Sequence, residues 1–419
     1  MINKIIRDDR QENHVARPKV SIRKADRPIS EKTIDLAVRR AAELAGVTGA
    51  DFNGKSVVIK PNVFCPRPAP TTTDPRVVAA LIRLAKDAGA RSVTVAEGRS
   101  VSTARFRKGQ TTTRACFEAV GMREAVEKAG AKIVYLEEDE PVHIELPGAE
   151  ILKHATVPRT ILEAEAFINA PVLKNHSLAL ITMGIKNLHG IISDADKLFG
   201  HNYRQLPQKL ADLLRIRKPD LTVIDGITGQ ERDHAEEGAP VDMGIIIAGR
   251  DTVAVDAVAS SIIGLDPLEV ETTKAAQDSG LGVANLAQID VVGETIESVL
   301  RPFARPDIEL SESRFPGLRI ISGDYCRSCE YYIRRGVDKL VENGLLDPND
   351  KITLILGKEP EVPDKIDGRT IILGDCAIAS ESIKRLRNNL FLEGRLRVVF
   401  TCPPMAFRMT APELVAGNG

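Results

Sequence analysis

Four of the six cysteines lie in the last hundred residues of the sequence. Cys326 and Cys329 form a Cys-x-x-Cys pair, and Cys376 and Cys402 are single cysteines further along the chain. The pair and both single cysteines closely follow apolar runs that predict strands: RIIS, TIIL and RVVF. Because the carboxyl ends of parallel strands meet at one edge of a sheet, we expect the four thiols to converge there. Four thiolates are the ligands of a [4Fe–4S] cluster or of structural zinc.

The spacing of these cysteines favours the cluster. Structural zinc usually takes two short pairs, whereas this chain has one pair and two distant single cysteines. Cys402 also precedes Pro403, and a Cys-Pro step is frequent at cluster ligands. We therefore expect a [4Fe–4S] cluster that transfers electrons, with zinc, or four buried thiols without metal, as the alternatives. Cys65 and Cys116, in the first half of the chain, are expected to be ordinary thiols.

Three lysines of the first 300 residues follow or lie near predicted strand ends. They are Lys60 after VVI, Lys174 after VL, and Lys186 in the segment GIKNLHG. Side chains at strand ends are half buried, so charged groups there are poor candidates for solubility alone. Together the three lysines would form an electropositive pocket for a carboxylate or phosphate.

Acidic, imidazole and amide groups occur in the same segments. His176, Glu97 and Asp256 are candidates for proton transfer, and the lysines complete the predicted catalytic set. The predicted substrate-binding residues are Asn62, Asn187, His189, Asp225 and Glu237. The alternative is an internal network of ion pairs that stabilises the domain without binding a substrate.

The elements that position these groups alternate along the chain between short strands rich in β-branched residues and amphipathic helices. This pattern predicts an α/β fold with a largely parallel sheet. A Pro- and charge-rich stretch at 301–317 is interpreted as a linker. We therefore predict a larger, mostly parallel α/β domain at 1–300 and a smaller α/β domain at 318–419 that carries the cysteines.

Composition excludes several classes of protein. The chain has 419 residues and a formal net charge of −1, which argues against a general nucleic-acid-binding protein. It has no apolar run long enough to span a membrane and no signal-peptide pattern, so we expect a cytoplasmic protein. No Walker A, GxGxxG or GxSxG motif is present, which argues against nucleoside triphosphatases, Rossmann dehydrogenases and α/β-hydrolases.

An ordered set of motifs over about residues 18–300 resembles the family called domain of unknown function 362, whose members are often described as iron–sulfur-binding proteins. The motifs are VIKPN at 58–62, TTDP at 72–75, AEG at 96–98, KNH at 174–176, GIKNLHG at 184–190, KPD at 218–220, DGI at 225–227, EGAP at 237–240 and AGRDTVAVDA at 248–257. Many relatives carry a ferredoxin-like run of closely spaced cysteines, whereas the cysteines of this chain are dispersed. The resemblance implies an architecture and a site but names no reaction.

The motifs and the cysteines together predict an iron–sulfur oxidoreductase that acts on an anionic small organic substrate. A redox-neutral isomerase or lyase with a structural cluster is the alternative enzyme. An iron–sulfur electron-transfer protein is the alternative without catalysis. An electron-donor protein and a second copy of the chain are the further partners we consider.

Overall fold

The computed structural model describes residues 17–100, 112–200, 204–233, 238–366, 368–392, 395–400 and 402–416. A large sheet and a small sheet, each flanked by helices, make up the described part of the chain. The predicted α/β class is therefore confirmed, with a mostly parallel larger sheet and a parallel smaller one.

The large sheet has the strand order β12-β1-β11-β10-β7-β2-β3-β4. The strands are β1 (Lys19–Lys24), β2 (Ser56–Pro61), β3 (Ser92–Glu97), β4 (Lys132–Tyr135), β7 (Ala166–Ala170), β10 (Leu221–Glu231), β11 (Ala239–Gly249) and β12 (Asp290–Gly293). Along this path β11 is antiparallel to both β1 and β10, and the other neighbours are parallel. Off the path, β8 (Val172–His176) pairs with β10 and with β9 (Leu180–Ile181), and β5 (Pro141–Glu145) and β6 (His154–Pro158) form a separate ribbon.

Helices cover both faces of the large sheet. They are α1 (Glu31–Leu44), α2 (Pro75–Asp87), α3 (Thr113–Ala119), α4 (Met122–Lys128), α5 (Arg159–Leu162), α6 (Gly184–Asn187), α7 (Asp194–Leu198), α8 (Leu206–Asp212), α9 (Thr252–Ile262), α10 (Glu271–Asp278) and α11 (Ile296–Val299). Successive residues of a strand point to opposite faces, so Val58 packs in the core with α9 and Ile59 in the core with α1 and α2. The helices α3 and α4 are separated at Gly121, whose φ of 73° ends the first of them.

The small sheet has the order β13-β14-β15-β16, and all its neighbours are parallel. Its elements are β13 (Leu318–Ser322), α12 (Arg327–Glu342), β14 (Ile352–Leu356), β15 (Thr370–Leu373), α13 (Asp375–Ala379), α14 (Glu381–Leu392), β16 (Leu396–Val399) and α15 (Met405–Ala416). α12 and α15 pack on one face, and α13 and α14 on the other. Residues 301–317 form no helix or strand, but Phe303, Ile308 and Phe315 are buried, so this predicted linker lies against the protein.

Candidate functional site

A cavity of about 620 Å³ opens where the large sheet meets the small unit. Its walls carry many basic side chains: Lys60, Arg99, Lys174, His176, Lys186, His189, Lys197 and Arg408. Glu97 is the single carboxylate among the described residues that line it. The small unit contributes Tyr331, Tyr332 and Cys402. The cavity is therefore electropositive and is built by both parts of the chain.

Lys60 and Glu97 form a buried ion pair at the base of the cavity. Lys60 is near the end of β2, and Glu97 is the last residue of the neighbouring strand β3. Lys60 Nζ lies 2.7 Å from Glu97 Oε1, and both side chains are at most 3 % exposed. Glu97 also accepts hydrogen bonds from the backbone N–H groups of Gly98 and Val63. Burial lowers the pKa of Lys60, and the Glu97 carboxylate opposes this shift.

Gly190 and Gly98 make room for this pair. A Cβ atom at Gly190 would lie 2.6 Å from Glu97 Oε1 and 2.7 Å from Lys60 Cε, and a Cβ at Gly98 would lie 2.3 Å from the Gly190 carbonyl oxygen. Any side chain at these positions would displace the ion pair or the backbone. The glycines of the AEG and NLHG motifs are thus explained by close packing around Lys60 and Glu97.

Lys174 is held by polar oxygens and an aromatic ring. It lies inside the fully buried strand β8, not after a strand as its sequence context suggested. Its Nζ donates to Asn62 Oδ1 at 2.6 Å and to the Thr71 carbonyl at 2.7 Å, and it lies 4.6 Å from the centroid of the Phe64 ring. Burial lowers the pKa of Lys174 to about 7. A bound anion would oppose that shift and favour the ammonium form.

Asn187 joins the lysines to the sheet through a buried network. Its amide nitrogen donates to Asn169 Oδ1 at 2.8 Å, and its amide oxygen accepts from Asn62 at 3.1 Å and from Lys60 at 3.4 Å. Asn62 in turn accepts from Lys174. Both predicted amide residues therefore position lysines as well as line the cavity.

Lys186 enters the cavity from the short helix α6, not from a strand end. Asp256 accepts hydrogen bonds from the backbone N–H groups of Gly184 at 2.6 Å and Ile185 at 2.9 Å, and so fixes the start of this helix. Burial raises the pKa of Asp256 to about 7 and lowers that of Lys186 to about 8. Asp256 is not among the residues that line the cavity, so its position supports a structural role better than the predicted proton transfer.

His176 lines the cavity with a defined tautomer. Its Nδ1 accepts from the backbone N–H groups of Leu178 at 3.0 Å and Ala179 at 3.2 Å. An acceptor nitrogen carries no proton, so the neutral ring holds its proton on Nε2. His176 is thus suited to donate a hydrogen bond or a proton from Nε2.

His189, Lys209 and Lys197 form a second basic group beside the first. Lys209 Nζ lies 3.3 Å from His189 Nε2 and donates to the Lys197 carbonyl at 2.8 Å. Lys197 Nζ donates to the Arg99 carbonyl at 2.8 Å and pairs with Asp194 at 3.5 Å. Burial lowers the pKa of Lys209 to about 7.

Four basic residues in and beside the cavity were not predicted from the sequence: Arg99, Lys197, Lys209 and Arg408. Lys197 and Lys209 follow no recognisable strand, and Arg408 reaches the cavity from the far end of the chain. The position of Arg99 directly after the AEG motif could have suggested this residue.

Asp225, another predicted substrate-binding residue, does not line the cavity. Asp225 is buried beneath the turn before α2, where it accepts from the backbone N–H groups of Asp74 at 2.8 Å and Ile227 at 3.1 Å. Burial raises its pKa to about 7. Through Asp74 its contacts hold the loop that contains Thr71. Glu237 lies outside the described residues.

The cysteines of the small unit lie together at the carboxyl edge of its sheet. The Cys329 thiol is in hydrogen-bonding contact with the Cys326 and Cys376 sulfurs, which lowers the pKa of each of those two thiols to about 6. The same contacts raise the pKa of Cys329. Burial, with the nearby Cys326 and Cys376, raises the pKa of Cys402 to about 11. The structure therefore brings three thiols into contact and places the fourth within electrostatic range.

The donor set is chemically that of an iron–sulfur or zinc site, because all four groups are thiols. Across the described ranges, however, no group of three or more His, Cys, Asp or Glu side chains is arranged to hold a metal ion as it stands. Cys326 precedes α12 and Cys376 lies in the first turn of α13, while Cys402 also lines the basic cavity.

The fold and site define a mixed α/β protein with a basic cavity and a thiol cluster beside it. Residues 57–261 match the family model described as Domain of unknown function (DUF362). This match agrees with the family that the motifs of the sequence indicated.

One relative is the thylakoid-associated protein sll1697 of Synechocystis sp. (strain ATCC 27184 / PCC 6803 / Kazusa). It is 27 % identical over 235 residues, which cover 54 % of this chain and 69 % of that protein. In the part of this chain that the structure describes, no helix is long and apolar enough to cross a membrane.

Proposed function

We propose that this protein is an iron–sulfur oxidoreductase that acts on an anionic small organic substrate. The observation that carries the proposal is that Cys402 lines the same cavity as Lys60, Lys174 and Lys186. A cluster held by Cys326, Cys329, Cys376 and Cys402 would thus lie beside the anion site. A cytoplasmic location is part of the proposal, because the six cysteines would remain reduced in that compartment.

The basic side chains would bind and orient the substrate. Lys174 and Lys186 have no carboxylate partner among the described residues, so an anionic group would compensate their charge. Lys60 is already paired with Glu97, and this pair would position the neighbouring groups instead of binding the anion. Tyr331 and Tyr332 on the opposite wall would exclude water from the substrate.

Proton transfer is assigned to His176. Its Nε2 carries the proton in the neutral ring, while Nδ1 is held by two backbone N–H groups. When bound, the cluster would supply or accept single electrons, and His176 would deliver the accompanying proton from Nε2.

Anaerobic purification tests the cluster. The protein should contain iron and acid-labile sulfide and should show the broad visible absorption of iron–sulfur thiolate sites. Cys402→Ala should lose the cluster, whereas the matched control Cys116→Ala should keep it, because Cys116 is buried in the core of the large sheet and does not line the cavity. A colourless protein with stoichiometric zinc would contradict the redox function and favour the redox-neutral isomerase or lyase.

Calorimetric titration with malonate tests the anion site. Charge-assisted hydrogen bonds contribute about 1.5–3 kcal/mol each, so Lys174→Met should weaken malonate binding by about tenfold or more. The control Lys32→Met changes an exposed lysine of α1 and should leave the affinity unchanged. Equal affinities for the Lys174→Met variant and the unchanged protein would contradict the assigned site.

A further inference from the structure

Lys186, which is half-buried, differs from the four buried lysines in and beside the basic cavity in having no partner among the described residues. The others are fixed by oxygen or nitrogen acceptors: Lys60 by Glu97, Lys174 by Asn62 and Thr71, Lys197 by Asp194 and Arg99, and Lys209 by Lys197 and His189. In the described ranges, no hydrogen bond or ion pair engages the Lys186 amine, although it lines the cavity. Its nitrogen is therefore available to a bound molecule.

The backbone that carries Lys186 is nevertheless firmly fixed. Asp256 binds the N–H groups of Gly184 and Ile185 directly before it, and Asn187 directly after it is the centre of the buried amide network. A Cβ at Gly184 would lie 2.7 Å from Thr252 Cγ2, so the start of the helix is closely packed. An amine without a partner on such a rigid base is preorganised for a reacting atom.

The surroundings of Lys186 favour its neutral form. Burial lowers its pKa to about 8, so a useful fraction of the amine is unprotonated near neutral pH. Lys174 and Lys209 are close enough for their charges to interact with that of Lys186. A lysine desolvated among other cations is the usual setting of an amine nucleophile, because the neutral amine is the reactive species.

We propose that Lys186 is a catalytic nucleophile whose amine forms an imine with the carbonyl carbon of an anionic oxo acid bound in the cavity. The inference rests on the anion-binding part of the proposed function and does not depend on the cluster. Lys174 and its neighbours bind the carboxylate, which places the adjacent carbonyl carbon against the Lys186 nitrogen.

The step is redox-neutral and balanced. The nitrogen lone pair of the neutral amine forms the new C–N bond, and the π-electron pair of the carbonyl moves to its oxygen. The two amine protons transfer to that oxygen, which leaves as water when the C=N bond forms. Addition of water to the imine reverses the step. Once the imine is protonated, it draws electrons from the neighbouring carbon and makes its C–H bond more acidic.

Reductive trapping tests the proposal. The full chain is incubated separately with glyoxylate, pyruvate and 2-oxoglutarate in the presence of sodium cyanoborohydride, and its peptides are analysed by mass spectrometry. We expect at least one of these acids to give a reduced adduct located mainly on Lys186. Lys186→Arg and Lys186→Met should lose this adduct, and Lys32→Met should retain it.

Binding measurements separate this inference from the proposed function. The three oxo acids and malonate are titrated into the unchanged protein and into Lys186→Arg, whose fold is checked by circular dichroism. Oxo-acid binding without an adduct on Lys186, or an adduct mainly on Lys174, would overturn the imine proposal and leave the anion site intact. Absence of both binding and adduct would overturn the imine proposal together with the anion site.

Discussion

Glu97→Gln tests the energetics of the buried pair directly, because it removes one charge and nearly preserves the shape of the side chain. Glu97 Oε1 accepts from Lys60 at 2.7 Å and from Gly98 at 2.8 Å, and Oε2 accepts from Val63 at 3.0 Å. The amide group of glutamine has one oxygen and one NH₂ group. The NH₂ group must therefore face at least one of the N–H donors of Lys60, Gly98 and Val63. The substitution also leaves Lys60 without a counter-charge.

The expected loss of stability is large. Removing one partner of a buried pair costs about 3–5 kcal/mol. Lys60 can limit this cost by losing its proton in the folded variant. At pH 7 that release costs about 4.6 kcal/mol, from an unfolded lysine pKa of about 10.4 and about 1.36 kcal/mol per pH unit. The two values agree, so we expect a destabilisation of about 3–5 kcal/mol at pH 7.

The pH dependence follows from the sign of the lysine shift. Burial lowers the pKa of Lys60 in the folded protein, and the loss of Glu97 lowers it further. Between the folded and unfolded pKa values, the unfolded chain binds more protons, so stability rises with pH. The destabilisation of Glu97→Gln relative to the unchanged protein should therefore become smaller between pH 7 and pH 9.

Urea unfolding followed by far-UV circular dichroism at pH 7 and pH 9 measures these differences. Lys60→Met in the Glu97→Gln background should recover part of the lost stability, because it removes the unpaired charge. The control is Glu140→Gln, which breaks an exposed pair with Arg159 at 2.6 Å and should barely change the urea midpoint. Equal stability of Glu97→Gln and the unchanged protein at pH 7, or a destabilisation that does not shrink at pH 9, would refute the reasoning.

Two further substitutions test other parts of the site. Gly190→Ala should destabilise the protein by about 1–3 kcal/mol in urea unfolding and weaken malonate binding, because the added Cβ would lie 2.6 Å from Glu97 Oε1. The control is Gly49→Ala, which has no atom within 4 Å of the added Cβ. Equal effects of the two substitutions would count against close packing at the ion pair. Asp256→Asn should change the pH dependence of stability. Burial raises the pKa of Asp256 in the folded protein to about 7. Between about pH 4 and pH 7 the folded protein therefore binds more protons than the unfolded chain. The unchanged protein should lose stability across that range relative to the variant, and parallel pH profiles would contradict the assigned burial.

The sequence predicted well those features that repeat along the chain. Strands such as Ser56–Pro61 and Leu318–Ser322 contain short runs of β-branched apolar residues, VVI and II, and the alternation of such strands with amphipathic helices is sufficient to indicate a parallel α/β fold. The first 300 residues and the last hundred also have separate sheets, although the boundary residues of the two domains remain predictions. The β5–β6 ribbon was not predicted, because its alternation is short: in β5 only Val142 and Ile144 are less exposed than their neighbours.

The site was harder to predict where polar residues lie inside regular structure. Lys174 lies within a fully buried strand, a position in which a lysine is rare, so its type suggested a strand end instead. Asp225 and Asp256 were interpreted as candidates for chemistry, whereas the structure shows them bound to backbone N–H groups of distant segments. Such partners come from parts of the chain 151 and 72 residues away, and no local pattern could identify them.

The cavity has one wall from each sheet, and this has a thermodynamic consequence. Leu178 of the large unit packs with Tyr331, Tyr332 and Met405 of the small one, and Arg327 donates to the Ser177 carbonyl at 2.6 Å. A ligand that touches both walls adds its binding free energy to this contact, because separation of the units would destroy its site. Ligand concentration would then control how cooperatively the two units unfold. A saturating anion should merge separate unfolding transitions into one and protect the segment at 301–317 from proteolysis.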